Sequence, residues 1–225
     1  MRSTPFLTVA TIVGAIGLFP NGAWPQLAGT VVFTPYAGAF APANQLANGL
    51  SSQVVGRQKA SSAFGANLSY WLNERMAVEG GAAYAMSDIK WSGAVGESGN
   101  YLNETVTRNA HVWMGSAKMM FQLFPEGGEY NVRFGAGPAL ITRSGPAFKP
   151  DNGTFSGLTD IGAAFSLCTR FSITPNFGLR LRAEDYFYRS DLAFMGKAAT
   201  DKLSLGSKMQ HDFILSTGLQ IFLSR

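Results

Sequence analysis

The segment from Phe213 to Leu223 alternates between apolar and polar side chains almost to the last residue of the sequence. One parity consists of Phe213, Leu215, Thr217, Leu219, Ile221 and Leu223, and the other is mostly polar or glycine, with Asp212, Ser216, Gly218, Gln220 and Ser224. A β-strand has a two-residue side-chain period, and about 9–11 residues suffice to cross a bilayer at a tilt. The segment therefore predicts a membrane-crossing strand.

Seven earlier segments show comparable alternation, and no domain break separates them. The predicted strands cover roughly residues 31–40, 60–72, 76–86, 105–123, 130–142, 160–173, 177–188 and 210–223. The connections alternate between short turns (73–75, 124–129 and 174–176) and long loops (41–59, 87–104, 143–159 and 189–209). This rhythm is typical of membrane barrels, which have short turns at one end and long loops at the other. We predict an all-β fold, an eight-stranded antiparallel up-and-down transmembrane β-barrel.

The composition fits many short strands and argues against a nucleic-acid partner. Only 14% of the residues are charged, whereas Gly (26) and Phe (17) are abundant. The net charge of +4 is spread along the chain, and nucleic-acid-binding proteins cluster their basic residues. The single cysteine, Cys168, cannot form an internal disulfide. No motif indicates a cofactor or a metal site, and none is expected.

The N-terminus has the order of regions of a secretory signal peptide. Arg2 precedes an uncharged, largely apolar stretch from Phe6 to Phe19, which ends at the helix-breaking Pro20-Asn21-Gly22 and the small residue Ala23. A transmembrane anchor would need about 20 apolar residues, and this stretch is shorter. We predict a secretory signal at residues 1–23 and a barrel domain at residues 24–225.

Alternation alone does not separate a membrane barrel from a soluble ligand-binding barrel. A lipocalin-like barrel holds its ligand on the apolar face, whereas a membrane barrel turns that face to lipid. The export signal and the one-sided long loops favour the membrane barrel. Aromatic residues near the strand ends are then candidates for two interfacial girdles, one of Tyr70, Trp71, Tyr130 and Phe177, and the other of Tyr84, Trp113 and Phe187.

Seven charged residues share the face opposite the apolar one. They are Glu79, Lys118, Arg133, Arg170, Arg180, Arg182 and Glu184. The lumen of an eight-stranded barrel holds little more than side chains, and buried charges must be paired. We therefore predict a lumen plugged by Arg–Glu pairs centred on Glu79 and Glu184. Five bases against two acids leave positive charge that needs water, an anion or a further carboxylate. Asp160, Arg108 and Asp212 could form a second ion cluster near the long loops.

Two segments resemble the eight-stranded outer-membrane barrel proteins, the group of OmpA-like transmembrane domains and OmpW-like small barrels. Gly178 to Tyr186 is similar to their penultimate strand, and Ser216 to Leu223 to their C-terminal assembly signal, here Gly218, Ile221 and Leu223. The family usually ends on Phe, whereas this chain ends Phe222-Leu-Ser-Arg225. The resemblance implies a monomer in the outer membrane of a Gram-negative bacterium, surrounded by outer-membrane lipid and inserted by the barrel assembly machinery. The loop pattern predicts that both termini lie in the periplasm.

Three functions remain open for such a barrel. The first is a structural or surface-interaction role through the long outer loops, and the second is OmpW-like passage of small hydrophobic molecules. The third is a lipid A-modifying enzyme, which needs a nucleophilic Ser, a His base and an orienting acid within hydrogen-bond reach. Only His111 and His211 could supply the base, and we expect no enzymatic activity and no catalytic residues.

Overall fold

The computed structural model describes residues 28–48, 55–92, 106–123, 131–149, 153–196 and 202–224. In chain order, the strands are β1 (Val31–Pro42), β2 (Ala47–Asn48), β3 (Val55–Gln58), β4 (Ser61–Trp71), β5 (Met76–Ser92), β6 (Val106–Gln122), β7 (Val132–Ser144), β8 (Gly153–Ser156), β9 (Thr159–Ser172), β10 (Phe177–Gly196) and β11 (Lys202–Ser224). A single turn of 3-10 helix, Pro146–Phe148, lies between β7 and β8. No helix in the described ranges is long and apolar enough to span a membrane.

Eight of the strands close into a ring. β1, β4, β5, β6, β7, β9, β10 and β11 each pair antiparallel with the next, and β11 pairs with β1. The closing pair runs from Val31 opposite Ser224 to Pro42 opposite Asp212. The predicted eight-stranded antiparallel barrel is therefore confirmed.

The two ends of the barrel differ in the length of their connections. The predicted short turns at 73–75 and 174–176 join β4 to β5 and β9 to β10, and we call this the lower end. The predicted turn at 124–129 and the predicted signal at 1–23 lie outside the described residues. Residue 31 pairs with residue 224 beside the lower turns, so both described termini lie at this end. The opposite, long-loop end is called the upper end.

The sheet continues well into the segments predicted to be long loops. β5 extends to Ser92, and the β10–β11 hairpin extends to Gly196 and Lys202. β2 and β3 continue the wall beside β5, and β8 pairs with the upper part of β10. Its inner side is apolar, because Leu192, Ala193 and Phe194 are buried, while Met195 is exposed. We call this part of the sheet above the predicted strand ends the upper extension.

The outer surface of the ring is apolar. Large apolar side chains project outward from every ring strand between β4 and β11, among them Phe64, Leu68, Val78, Met86, Trp113, Phe121, Leu140, Ile161, Leu167, Leu215, Leu219 and Leu223. Ile161 is 79% exposed. Monomeric soluble proteins rarely expose contiguous apolar surface on this scale. The surface therefore matches a lipid environment better than water.

Three apolar clusters lie inside the barrel at successive heights. The lower apolar layer consists of Val32, Trp71, Ala77, Met120 and Cys168. The middle apolar layer includes Tyr36, Phe40, Val112, Met114, Ile141, Tyr186 and Ile214. The upper apolar cluster fills the upper extension with Leu46, Ile89, Ala110, Ala147, Phe148, Phe155, Leu192, Phe194 and Leu205. The interior thus holds packed side chains at every level, as expected for a ring of eight strands.

Trp71 corrects one detail of the predicted aromatic girdles. Tyr70 is outward and 49% exposed, but Trp71 is buried in the lower apolar layer at 2% exposure. Successive side chains of a strand point to opposite faces, so these two neighbours cannot both face lipid. Trp113 and Phe177, which belong to the two predicted girdles, are exposed, whereas Tyr130 lies outside the described residues.

The seam between β1 and β11 has a local irregularity. The paired register runs through Phe33 opposite Ile221 and resumes at Tyr36 opposite Gly218, leaving Thr34 and Pro35 without a register partner on β11. Proline has no backbone N–H to donate to a ladder. An outward-facing depression of about 330 Å³ lies here, lined by Pro35, Tyr36, Ala37, Leu179, Thr217, Gly218 and Leu219.

Candidate functional site

The central feature of the lumen is a group of five charged side chains between the lower and middle apolar layers. It consists of Glu79 on β5, Lys118 on β6, and Arg180, Arg182 and Glu184 on β10, all nearly completely buried. β10 lies four strands from β5 in either direction around the ring, so the group spans the lumen from wall to wall. We call it the lower ionic network.

Glu79 is the most connected residue of this network. Its Oε2 accepts a hydrogen bond of 2.5 Å from Arg180 Nη1 and one of 2.8 Å from the Ser69 hydroxyl. Its Oε1 lies 3.3 Å from Arg182 Nη2 and 3.6 Å from Lys118 Nζ. Lys118 is also its direct register partner on β6. One carboxylate therefore interacts with three cations from two sides of the lumen.

Glu184 provides the second carboxylate. Its Oε1 accepts a hydrogen bond of 2.5 Å from Arg182 Nη2 and a hydrogen bond from the Lys118 ammonium. Lys118 and Arg182 each contact both carboxylates, so the five groups form one connected network. The predicted Arg–Glu pairing centred on Glu79 and Glu184 matches this geometry.

The other two residues of the predicted network are buried in the lumen without joining this group. The Arg133 guanidinium carbon lies 4.4 Å from the centre of the Trp71 ring, and that of Arg170 lies 5.7 Å from the Phe222 ring. Arg180 connects this region to the network, because its Nη2 donates to Cys168 Sγ at 3.2 Å. All seven predicted residues therefore line the lumen, and five of them form ion pairs with one another.

A second ion cluster lies higher in the lumen. Arg143 Nη1 donates to Asp160 Oδ2 at 2.7 Å, and its Nη2 donates to the Tyr188 hydroxyl. That hydroxyl in turn donates to Asp212 Oδ2 at 2.5 Å. We call these four residues the upper ionic cluster. The predicted carboxylates Asp160 and Asp212 are present in it.

Arg143 lies outside the predicted strands, because residue 143 is the first of a predicted long loop. Counting by twos from Arg133 along β7 gives Arg143 the lumen-facing parity, and the strand does extend to Ser144. Arg108, the cation expected there, is half-buried on β6 opposite Ile89.

Both histidines are on the outer face near the upper end. His111 Nδ1 lies 2.8 Å from the Tyr84 hydroxyl, and His211 Nδ1 lies 2.9 Å from Asp185 Oδ2. His211 thus has an acid beside it, but no serine is among the hydrogen-bond partners of either histidine in the described part of the chain. The expectation of no enzymatic activity remains a prediction.

The three residues of the assembly signal are on the last strand, next to the closing seam. Ile221 and Leu223 have the outward parity of β11, and Leu223 is 61% exposed. Gly218 faces inward, where a Cβ atom would lie 2.9 Å from the Pro35 carbonyl oxygen and from Thr34 Cγ2. A side chain at Gly218 would therefore crowd the closure of the barrel.

The distribution of charge defines the class of protein. The buried charged residues point into the lumen and large apolar side chains cover the outside of the ring, which is the reverse of a soluble lipocalin-type barrel. An eight-stranded antiparallel ring with this polarity is a membrane-spanning β-barrel.

Comparisons with solved structures agree on the fold. OprG, an outer membrane protein from Pseudomonas aeruginosa, matches with a TM-score of 0.63 at 10% identity, covering 87% of this chain and 97% of that chain. The outer membrane protein AlkL, whose structure was determined by solid-state NMR in DMPC lipid bilayers, matches with a TM-score of 0.63 at 12% identity. The match covers 92% of this chain and 96% of that chain. No protein-family model and no curated protein matches the sequence. The expected resemblance to eight-stranded outer-membrane barrels is therefore confirmed for the fold.

Proposed function

We propose that this chain is an integral bacterial outer-membrane β-barrel whose lumen is closed by the lower ionic network and whose role is structural or surface interaction through its upper end. The shared fold with OprG and AlkL supports the membrane assignment. The sheet-built upper extension supports the surface role, because it presents ordered structure beyond the apolar belt.

The observation that carries the proposal is the wall-to-wall span of the lower ionic network. Glu79 on β5 contacts Arg180 on the opposite side of the ring, and packed apolar layers lie above and below the network. A solute crossing the lumen would have to separate buried ion pairs, which costs several kcal/mol for each uncompensated charge. The network therefore acts as a plug in our proposal.

The orientation follows from the two ends of the barrel. Membrane barrels of this type have short periplasmic turns and longer outer connections, so the lower end with both described termini would face the periplasm. Outer-membrane lipid would surround the apolar belt. The assembly machinery would read Gly218, Ile221 and Leu223 on the last strand, and the folded barrel would be monomeric.

Cell fractionation combined with gel mobility tests the membrane assignment. We expect the protein in the outer-membrane fraction, and we expect the unboiled barrel to migrate differently from the boiled chain because a closed barrel resists unfolding by detergent. Recovery in the soluble periplasm, with the same mobility before and after boiling, would contradict the assignment.

Purified protein in proteoliposomes tests the plug. We expect ion flux no higher than in protein-free liposomes, because a plug formed by the lower ionic network would interrupt a water path through the lumen. A 16-stranded porin, which has an aqueous channel, is the positive control. Steady ion flux through the wild-type protein would show that the lumen is open.

Passage of small hydrophobic molecules is the second candidate, and the irregular β1–β11 seam favours it. The middle apolar layer begins just above the lower ionic network, and the outer depression lies beside one of its residues, Tyr36. An apolar molecule descending from the upper end could not cross the ionic network and would need a sideways exit into lipid. The seam is one place where the described wall departs from regular pairing between ring strands, as the β6–β7 pair also does between Ser116 and Met119.

The same proteoliposomes distinguish the two candidates when an apolar fluorescent probe replaces the ions. A purely structural barrel leaves the rate of probe uptake at the protein-free value. Passage would raise this rate, and Ala37→Trp, which fills the depression from the lipid side, would lower it again. Insensitivity of a raised rate to Ala37→Trp would exclude the seam as the exit.

A further inference from the structure

Three lumen-facing arginines lie at one level near the lower end of the barrel. Arg170 on β9 is the direct register partner of Arg180 on β10, and Arg133 on β7 is the register partner of Cys168, two residues from Arg170. All three are at most 6% exposed. Like charges directly opposite each other in a sheet are destabilising. This level of the lumen therefore concentrates positive charge.

The two carboxylates of the lower ionic network do not balance this charge. Glu79 and Glu184 are shared among Lys118, Arg180 and Arg182, so the network already has one more cation than anion. Arg133 adds a further buried cation. With Arg170 left out of the sum, the described side chains Lys118, Arg133, Arg180 and Arg182 exceed Glu79 and Glu184 by two positive charges.

Arg133 shows the imbalance most directly. Its side chain is 3% exposed, and the described residues offer its Nε and Nη2 no hydrogen-bond partner. Its contact with the Trp71 ring is a cation–π interaction at 4.4 Å, which does not satisfy the N–H groups of Nε and Nη2. Guanidinium donors without acceptors are costly to bury, because they lose water and gain no hydrogen bond in return.

We propose that an oxyanion of the phosphate type binds at the lower end of the lumen, against Arg133 and beside Arg170 and Arg180. The guanidinium fork matches two oxygens of such an anion. The Trp71 ring holds the plane of Arg133, and the neighbouring arginines raise the local positive potential. We call this the lower anion site. The lower anion site would bind its ligand whether the barrel acts in surface interaction or in passage.

Phosphate could reach the lower anion site as a free ion or as the headgroup of a phospholipid. The shared chemistry is a tetrahedral oxyanion with two or more oxygens free to accept from guanidinium groups. The site is close to the short turns, so an anion would enter from the lower end without crossing the lower ionic network.

Titration of inorganic phosphate into the purified full-length barrel in a non-ionic detergent tests the lower anion site. Sodium chloride keeps the ionic strength constant, and the urea midpoint of unfolding is the readout. We expect phosphate to raise the midpoint of the wild type, because a ligand that binds the native state stabilises it. In Arg133→Gln the apparent phosphate affinity should fall about tenfold or more. Arg189→Gln, a change of the same type at an exposed position on β10, should leave the affinity unchanged.

The phosphate-free arm makes a second, independent prediction. If no protein group compensates Arg133, the urea midpoint of Arg133→Gln in phosphate-free buffer should equal or exceed that of the wild type. The midpoint of the variant should fall below that of the wild type only when phosphate is present. A lower midpoint of Arg133→Gln without phosphate would show that a protein carboxylate compensates Arg133, and would overturn the proposal. Glu126 and Glu129, which lie in sequence before β7 and outside the described residues, would then be the donors to test.

A third arm separates the two sources of phosphate. Mixed micelles containing phosphatidylglycerol replace the inorganic ion, and phosphatidylcholine micelles of equal phosphate content serve as the comparison. A midpoint shift with phosphatidylglycerol that is lost in Arg133→Gln indicates a headgroup site, and a shift with inorganic phosphate alone indicates a free ion. Equal shifts in the wild type and in Arg133→Gln mean an adventitious ion only, and contradict the lower anion site.

Discussion

Replacing Glu79 with Gln is expected to lower the free energy of unfolding by about 3–5 kcal/mol. The substitution keeps the shape of the side chain and removes its charge. Arg180, Arg182 and Lys118 then lose the carboxylate that they share, and Glu184 alone remains to balance them. Removing one partner of a buried ion pair costs this much because the remaining charges stay away from water.

Urea titration of the purified barrel, followed by the loss of its heat-modifiable band, measures this change. Asp191→Asn is the matched control, since its pair with Arg189 at 3.8 Å is about two-thirds exposed. Exposed pairs contribute about 0–1 kcal/mol, so the control should lie close to the wild type. Equal midpoints for Glu79→Gln and Asp191→Asn would show that the lower ionic network does not stabilise the barrel.

Glu184→Ala examines the second carboxylate of the same network. Its loss leaves Arg182 and Lys118 with only the more distant oxygen of Glu79, so a lowered resistance to urea is expected here as well. Arg180 contacts Glu79 and not Glu184. The cost at Glu184 should therefore not exceed that at Glu79.

Arg143→Met should destabilise the upper end of the barrel by about 3–5 kcal/mol. Asp160 and Asp212 are buried, and both depend on Arg143, directly or through the Tyr188 hydroxyl. Methionine fills most of the same volume, so the effect isolates the charge from the packing. The variant leaves two carboxylates in the lumen without a cation in the upper ionic cluster.

The effect of Arg143→Met is read from the same urea titration, with Arg189→Met as the control at an exposed site on β10. Adding Asp160→Asn and Asp212→Asn to Arg143→Met should restore part of the lost stability, because the uncompensated charges are then gone. Failure of the triple variant to recover would mean that packing, and not charge, accounts for the loss.

Much of this fold follows from the period of two in the sequence. Strand positions, the closing strand and the inward parity of Glu79 and Glu184 all depend on alternation, which a barrel with one apolar face requires. The same alternation, continued to the strand ends, predicts that Arg143 and Trp71 face inward, as they do in the structure. For Trp71, parity therefore predicts the orientation better than the interfacial aromatic pattern.

The sequence does not predict which charged side chains form ion pairs with each other inside the lumen. Glu79 meets Arg180 across four strands, and that contact depends on how the strands are staggered when the ring closes. The upper extension could not be predicted for a different reason. The number of residues between two predicted strands is the same whether those residues continue the sheet or form a loop. Only tertiary pairing, such as that of β8 with β10, distinguishes the two.

The length of the β10–β11 hairpin has a consequence for reach. β11 is 23 residues long, or ~76 Å of strand at ~3.3 Å per residue. At a tilt of about 40° it rises ~58 Å, more than twice the ~25 Å apolar band of such barrels. Because its lower end is level with the short turns, on the order of 30 Å of hairpin would project beyond the lipid on the upper side. In the proposed surface role, a partner could therefore bind the upper extension without approaching the bilayer.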